Sequence, residues 1–210
     1  EDVLSKFALP VSVSLISSDL SKDARADGIA KGIFALPNVE AASHSDTHPL
    51  DWTAKGVDAE KEVTASVAAL NKLTPAGKTV RLIAWSGLCN PPAAALRAAE
   101  TLGIANINGF NGDSGFVNRF DNFYPSRTHL SPMARNVGGM LQFNHRASND
   151  YEYTDSWAEN ARGQFRKVIE TFERTAQAPE RPAHVYFHFY SAHTAEALES
   201  LLAVLTWSQQ

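Results

Sequence analysis

His44 and His48 stand four residues apart in the run Ala41-Ala42-Ser43-His44-Ser45-Asp46-Thr47-His48-Pro49-Leu50-Asp51-Trp52, and two histidines at that spacing can grip one metal ion. If the segment turns helically after Ser43, the two side chains share a face with Cβ atoms about 6 Å apart, within reach of a single cation. A divalent ion there makes hydrolysis the first chemistry to consider. Asp46 would lie about 200° round the same turn from His44 and so face away from the ion. The pattern lacks the glutamate of the His-Glu-x-x-His motif, which removes the general base of a metalloprotease. Spacing alone leaves two readings: a metal-holding pair, or two exposed or hydrogen-bonded histidines in a polar loop.

The elements that must position this pair alternate between β-rich runs and amphipathic helical stretches. Strands are expected over Val11–Ile16, Val39–Ser43, Thr79–Trp85, Ala105–Asn108, about Met140–Phe143, and His184–Tyr190. Helical periodicity runs from Asp23 to Leu36, despite Gly28 and Gly32, and from Asp58 to Leu73, where Val63, Val67, Leu70 and Leu73 form one stripe. Pro91 and Pro92 open a further helix that ends at Gly103, and two more are expected over about Ser156–Ala176 and Thr194–Leu205. Residues 109–154, rich in Asn, Gly and aromatic side chains, read as long functional loops. Repeated β-α units argue for a parallel sheet, open or closed into a barrel.

In such folds the carboxyl ends of the strands share one mouth, where ligands bind. His44, Trp85-Ser86-Gly87, Asn108-Gly109 and His188 all fall at or near expected strand ends. In the last strand, His184, Tyr186, His188 and Tyr190 alternate onto one face. His188 is there suited to general-acid work, with a core histidine bonded to a backbone carbonyl as the plainer reading.

Composition bounds the rest. A chain of 210 residues with 44% hydrophobic content can bury a sizeable core and is expected to form a single domain, 1–210. Its net charge of −4, with the charges mixed along the sequence, argues against nucleic-acid binding. No run of about 18 apolar residues suggests membrane insertion. Cys89 is the only cysteine, so an intrachain disulfide is excluded, and a small apolar role beside Pro91 suits it better than nucleophilic catalysis. The opening Glu1-Asp2-Val3-Leu4-Ser5-Lys6-Phe7 reads as the middle of a helix, so the domain is expected to be N-terminally trimmed.

Several segments taken together resemble a known family: Phe34–Glu40 with Ala42–Trp52, Trp85-Ser86-Gly87, Asn106–Gly109, Tyr124-Pro125-Ser126 with Leu130-Ser131-Pro132, Val168–Glu173, and His188–Ser191. In order and combination they look like the deacetylase domain of the PelA type, a distant relative of the NodB-type polysaccharide deacetylases. The resemblance implies a deformed (β/α) barrel and a metal-dependent hydrolase, its ion most naturally zinc. The enzyme would remove N-acetyl groups from N-acetylhexosamine units of a bacterial exopolysaccharide. It implies His44 and His48 as ligands and His188 as the acid that protonates the leaving amine. It further implies a periplasmic or extracellular setting, a polysaccharide substrate, other exopolysaccharide machinery as partners, and a monomer.

The family's first motif, an Asp-rich strand end supplying a third ligand and the catalytic base, is absent from this sequence. Asp113 is the best internal substitute, with a turn residue in an Asn-Gly-Asp bend as its plainer reading. Asp51 is placed to orient the histidine loop from behind. Trp85 and Tyr124 are substrate-side candidates, flat faces for sugar rings, and each is also an ordinary core residue by type. A carbohydrate-binding domain with a vestigial cleft is the alternative from another functional class.

Overall fold

A computed structural model of the chain describes residues 3–107, 133–144, 147–149, 184–186 and 195–209. They fall into two compact units, one of Glu1–Phe110 with Ala134–Asn144 and the other of Asn111–Met133 with His145–Gln210.

The first unit is built on four parallel strands in the order β1 (Val11–Leu15), β2 (Val39–Ser43), β3 (Leu82–Ala84) and β4 (Ala105–Ile107). The register pairs Leu15 with Ser43, Ser43 with Ile83, and Ala84 with Ile107, so all four carboxyl ends lie along one edge. Three helices connect them: α1 (Ala26–Ala35), α2 (Ala59–Asn71) and α3 (Ala93–Thr101). Each helix supplies a buried stripe to one core that holds Val13, Phe34, Val63, Leu70, Ile83, Leu96 and both Trp52 and Trp85. Asp58 caps α2 by accepting from the Lys61 N–H at 3.1 Å. Leu102 and Gly103 end α3, with Gly103 at φ 67° and the Ile104 N–H reaching back to the Ala99 carbonyl. A hairpin of β5 (Met133–Val137) and β6 (Met140–Asn144) turns on Gly138 and Gly139, both at positive φ.

In the second unit, β7 (Ala147–Asn149) pairs in parallel with β8 (His184–Tyr186). The helix Ala195–Trp207 buries Leu201, Val204 and Leu205.

Three expectations are corrected. The third strand is shorter than Thr79–Trp85 because the Val80 N–H bonds to the Asn71 side chain at 2.7 Å, tying residues ahead of the strand to the end of α2. The first residues form a short 3-10 turn, Leu4–Lys6, in place of an α-helix. Beyond it, the Asn38 side-chain amide donates to the Leu4, Phe7 and Leu9 carbonyls and keeps the chain extended into β1. The run after Ser43 is not helical, for reasons given below. The expected helix over 156–176 lies outside the described residues.

Lys78 closes the carboxyl end of α1: its ammonium donates to the Phe34, Leu36 and Val39 carbonyls at 3.0, 2.6 and 3.0 Å. A half-buried cation on the negative end of a helix dipole satisfies carbonyls that the helix itself leaves open. Lys78→Met, which keeps the apolar stem, is expected to lower stability by about 2 kcal/mol in urea unfolding; a change within error would mean that water replaces the ammonium without loss.

Candidate metal centre at the strand ends

Sequence places His44 directly after β2, and the sheet carries its backbone one step further, since the His44 N–H donates to the Leu15 carbonyl at 2.8 Å. The imidazole then lies across the next strand, with Nδ1 2.8 Å from the Ala84 carbonyl. A carbonyl only accepts, so Nδ1 carries the proton and the basic lone pair is on Nε2. That is the tautomer of a metal-ligating histidine held from behind by the backbone.

His48 returns to the same place by a turn unlike a helix. Ser45 has φ 70° and His48 φ 60°, left-handed values that L-residues avoid at about 1–2 kcal/mol each. The Ser45 hydroxyl makes the turn close, donating to the His44 carbonyl and accepting from the His48 N–H at 3.1 Å. This side-chain bridge competes with the helical hydrogen-bond pattern and wins. The two rings end with centroids 4.9 Å apart and planes at 64°. A zinc ion held by two imidazole nitrogens at about 2.1 Å puts ring centres about 5 Å apart, so the pair fits one ion. Among the described residues, no group of three His, Cys, Asp or Glu gathers for a metal.

Neighbouring elements fix the loop from three sides. From the 3-10 turn after β1, the Ser17 and Ser18 N–H groups donate to the Ser45 and Asp46 carbonyls, and the Ser17 hydroxyl donates to the Asp46 carboxylate. Asp46 thus commits a carboxylate oxygen to Ser17. From α2, the buried Glu62 carboxylate accepts from the Asp46 and Thr47 N–H groups and the Thr47 hydroxyl. From the end of β3, the Ser86 hydroxyl donates to the Pro49 carbonyl at 2.9 Å, and the Leu88 N–H to the Leu50 carbonyl at 2.7 Å.

Asp51 acts on the outer part of this loop. Its Oδ1 accepts from the Thr53 N–H, the Thr53 hydroxyl and the Asn90 amide, while Asn90 Oδ1 accepts from the Trp52 N–H. Trp85 is corrected: it is 0% exposed, edge-on to Trp52 at 5.0 Å, with its indole N–H on Asn106 Oδ1. It supports the strand ends from within the core and offers no face to a sugar. Asp113, Tyr124 and His188 lie outside the described residues.

Sequence reasoning missed Ser45, Glu62, Ser86 and Asn90 as positioning groups. Glu62 and Ser66 had a signal, because both fall on the i, i+3, i+4 stripe that buries Ala59, Val63, Val67 and Leu70. Polar residues on a core stripe call for polar partners, and Ser66 finds its own in the Ser43 hydroxyl at 2.7 Å. The partners of Ser86 and Asn90 lie some forty residues away and have no local signature.

Comparison with solved structures places this architecture. A polysaccharide deacetylase of Pseudomonas aeruginosa PAO1 matches with a TM-score of 0.66 at 12% identity, covering 99% of this chain and 64% of that one. One from Mycobacterium smegmatis matches with a TM-score of 0.66 at 12% identity, covering 99% and 68%. A CE4 family pseudoenzyme from Bacillus anthracis matches with a TM-score of 0.51 at 12% identity, covering 96% and 60%. The fold is that of the polysaccharide deacetylases. The expected α/β class of NodB-like type is therefore the one observed. The chain spans roughly two thirds of the length of these proteins. No family model matches the sequence, and no curated protein does.

Two outcomes follow from the loop contacts. Gly87 has φ 57°, and a Cβ there would stand 2.2 Å from the Leu50 carbonyl oxygen. Gly87→Ala is expected to cost about 3 kcal/mol in chemical denaturation; a loss under about 1 kcal/mol would show that the two loops part freely. Second, the Asn90 amide, then the Thr53 hydroxyl and N–H, hold the Asp51 carboxyl below its ordinary range. With the folded pKa depressed, the stabilisation is present above the unfolded value of about 3.9 and is lost as pH falls through the folded value. Asn90→Leu should move the Asp51 titration, followed by carboxyl 13C NMR, up towards about 3.9; an unmoved titration would remove Asn90 as the cause.

Proposed function

We propose that this chain is a metal-dependent hydrolase that removes N-acetyl groups from N-acetylhexosamine units of an exopolysaccharide. The observation that carries the reading is the His44–His48 pair, with rings at single-ion spacing and His44 in the ligating tautomer, at the ligand-binding edge of a parallel sheet. The deacetylase fold supports the substrate class, though a fold hosts many activities and the site must decide among them. The PelA-type resemblance narrows the substrate to a biofilm polymer and the setting to the periplasm or the cell exterior.

His44 and His48 would hold the ion, zinc by the preference of imidazole. When bound, it supplies a water of lowered pKa and polarises the acetamide carbonyl. The Ala84 carbonyl keeps the His44 proton on Nδ1 throughout, and the Ser45 bridge fixes where His48 stands. In this reading His188 donates the proton that the leaving amine requires, because an amide anion leaves too poorly unaided. Asp113 would supply a carboxylate to the ion or the water, and Tyr124 would flank the sugar; these three assignments come from the sequence and its resemblance.

A second reading, a carbohydrate-binding domain without turnover, has its own support in a structural neighbour described as a pseudoenzyme. Zinc calorimetry on the chain and on His44→Ala, with acetate release from an N-acetylglucosamine oligomer, separates the two. The expected result is one-to-one binding lost in the variant and acetate release abolished by a chelator. Oligomer binding without acetate, zinc present, would establish the second reading, and acetate release indifferent to both chelator and variant would overturn the metal assignment.

A further inference from the structure

Glu62 lies on α2, sixteen residues after Asp46 and fifteen after Thr47, yet both of its carboxylate oxygens are committed to the loop between the two histidines. Oε2 accepts from two successive N–H groups, of Asp46 at 2.9 Å and Thr47 at 2.8 Å, and Oε1 accepts from the Thr47 hydroxyl. The residue is 8% exposed. A carboxylate is rarely so buried unless its charge is met, and here three donors of one short loop meet it.

The loop needs such a clamp. Ser45 and His48 carry left-handed backbone, and the residues between them, Asp46 and Thr47, are those whose N–H groups Glu62 takes. We propose that Glu62 is a positioning residue for the histidine pair: it presses the Asp46–Thr47 peptide against α2 and so sets the His48 imidazole at its distance from His44. The inference rests on the metal reading for its purpose and on the hydrogen bonds for its geometry. Groups that orient ligands from behind typically change metal affinity by about 10–100-fold when removed.

The test uses the whole chain in two measurements. Zinc affinity by calorimetry is expected to fall about tenfold or more in Glu62→Ala and to be largely recovered in Glu62→Gln, whose amide oxygen still accepts from both N–H groups. Nuclear Overhauser contacts between the His44 and His48 rings, taken without metal, are expected in the parent and in Glu62→Gln and are expected to be lost in Glu62→Ala, while His44, held by the Ala84 carbonyl, keeps its proton on Nδ1 in all three. Thr47→Val alters an exposed residue and serves if Glu62→Ala does not fold; losing its one bond to Oε1 should weaken zinc binding about threefold. Unchanged ring contacts and affinity in folded Glu62→Ala, or in Thr47→Val where that variant stands in, would overturn the positioning role and leave the metal reading intact. A parent that binds no zinc, with the ring contacts still lost in Glu62→Ala, would remove the metal reading and keep the positioning role.

Discussion

A turn of five residues governs the rest of this structure, because it must bring two imidazoles together while two of its members hold backbone angles that L-residues disfavour. His44 to His48 would make a helical turn by spacing alone, yet the Ser45 hydroxyl bridges the His44 carbonyl and the His48 N–H and forces a tighter path. The energy for that path comes from outside the loop. β1 is followed at once by a 3-10 turn whose first N–H groups meet Ser45 and Asp46, α2 aligns Glu62, and β3 ends in a Ser-Gly pair that lets its loop close on Leu50. The connections after β1 and β3 are thus shaped by the loop after β2.

The polar groups beneath the loop follow the same logic. Ser43, Ser45, Ser66 and Ser86 are all buried, and hydroxyls at such depth cost stability unless bonded. Their partners are one another or the loop backbone: Ser66 with Ser43, Ser43 with the Ser45 N–H, Ser86 with the Pro49 carbonyl. Around them the apolar core is conventional, with Trp52 and Trp85 edge to face, and the indole N–H groups meet the Ser86 carbonyl and Asn106. Asn106 carries the order outward, since its Oδ1 also accepts from the Phe143 N–H and its Nδ2 donates to the Leu141 carbonyl of β6.

Much of this was legible in the sequence where the signal is local. β2 has the bounds that its β-rich run predicts. The α3 segment begins after Pro91-Pro92 and closes on Gly103, as stereochemistry requires. Legibility fails where partners are distant. Nothing near Val80 says that Asn71 will take its N–H and shorten the strand. Nor does Trp85 announce that Asn106 and Trp52 will enclose it, when an exposed indole at a strand end would have the same local sequence.

The backbone strain bears on whether the histidine pair is merely two loop residues. A turn with no task could place glycine at 45 and 48, where positive φ is nearly free, and an apolar side chain at 62, which a core stripe accepts without desolvating a charge. This chain instead keeps a serine and a histidine at left-handed angles and buries a carboxylate to hold them. Departures from local rules that several elements jointly enforce are characteristic of sites where geometry serves chemistry. The strained and buried features converge on one quantity, the separation and orientation of two imidazoles. That separation is the quantity on which the affinity of the proposed metal site would depend.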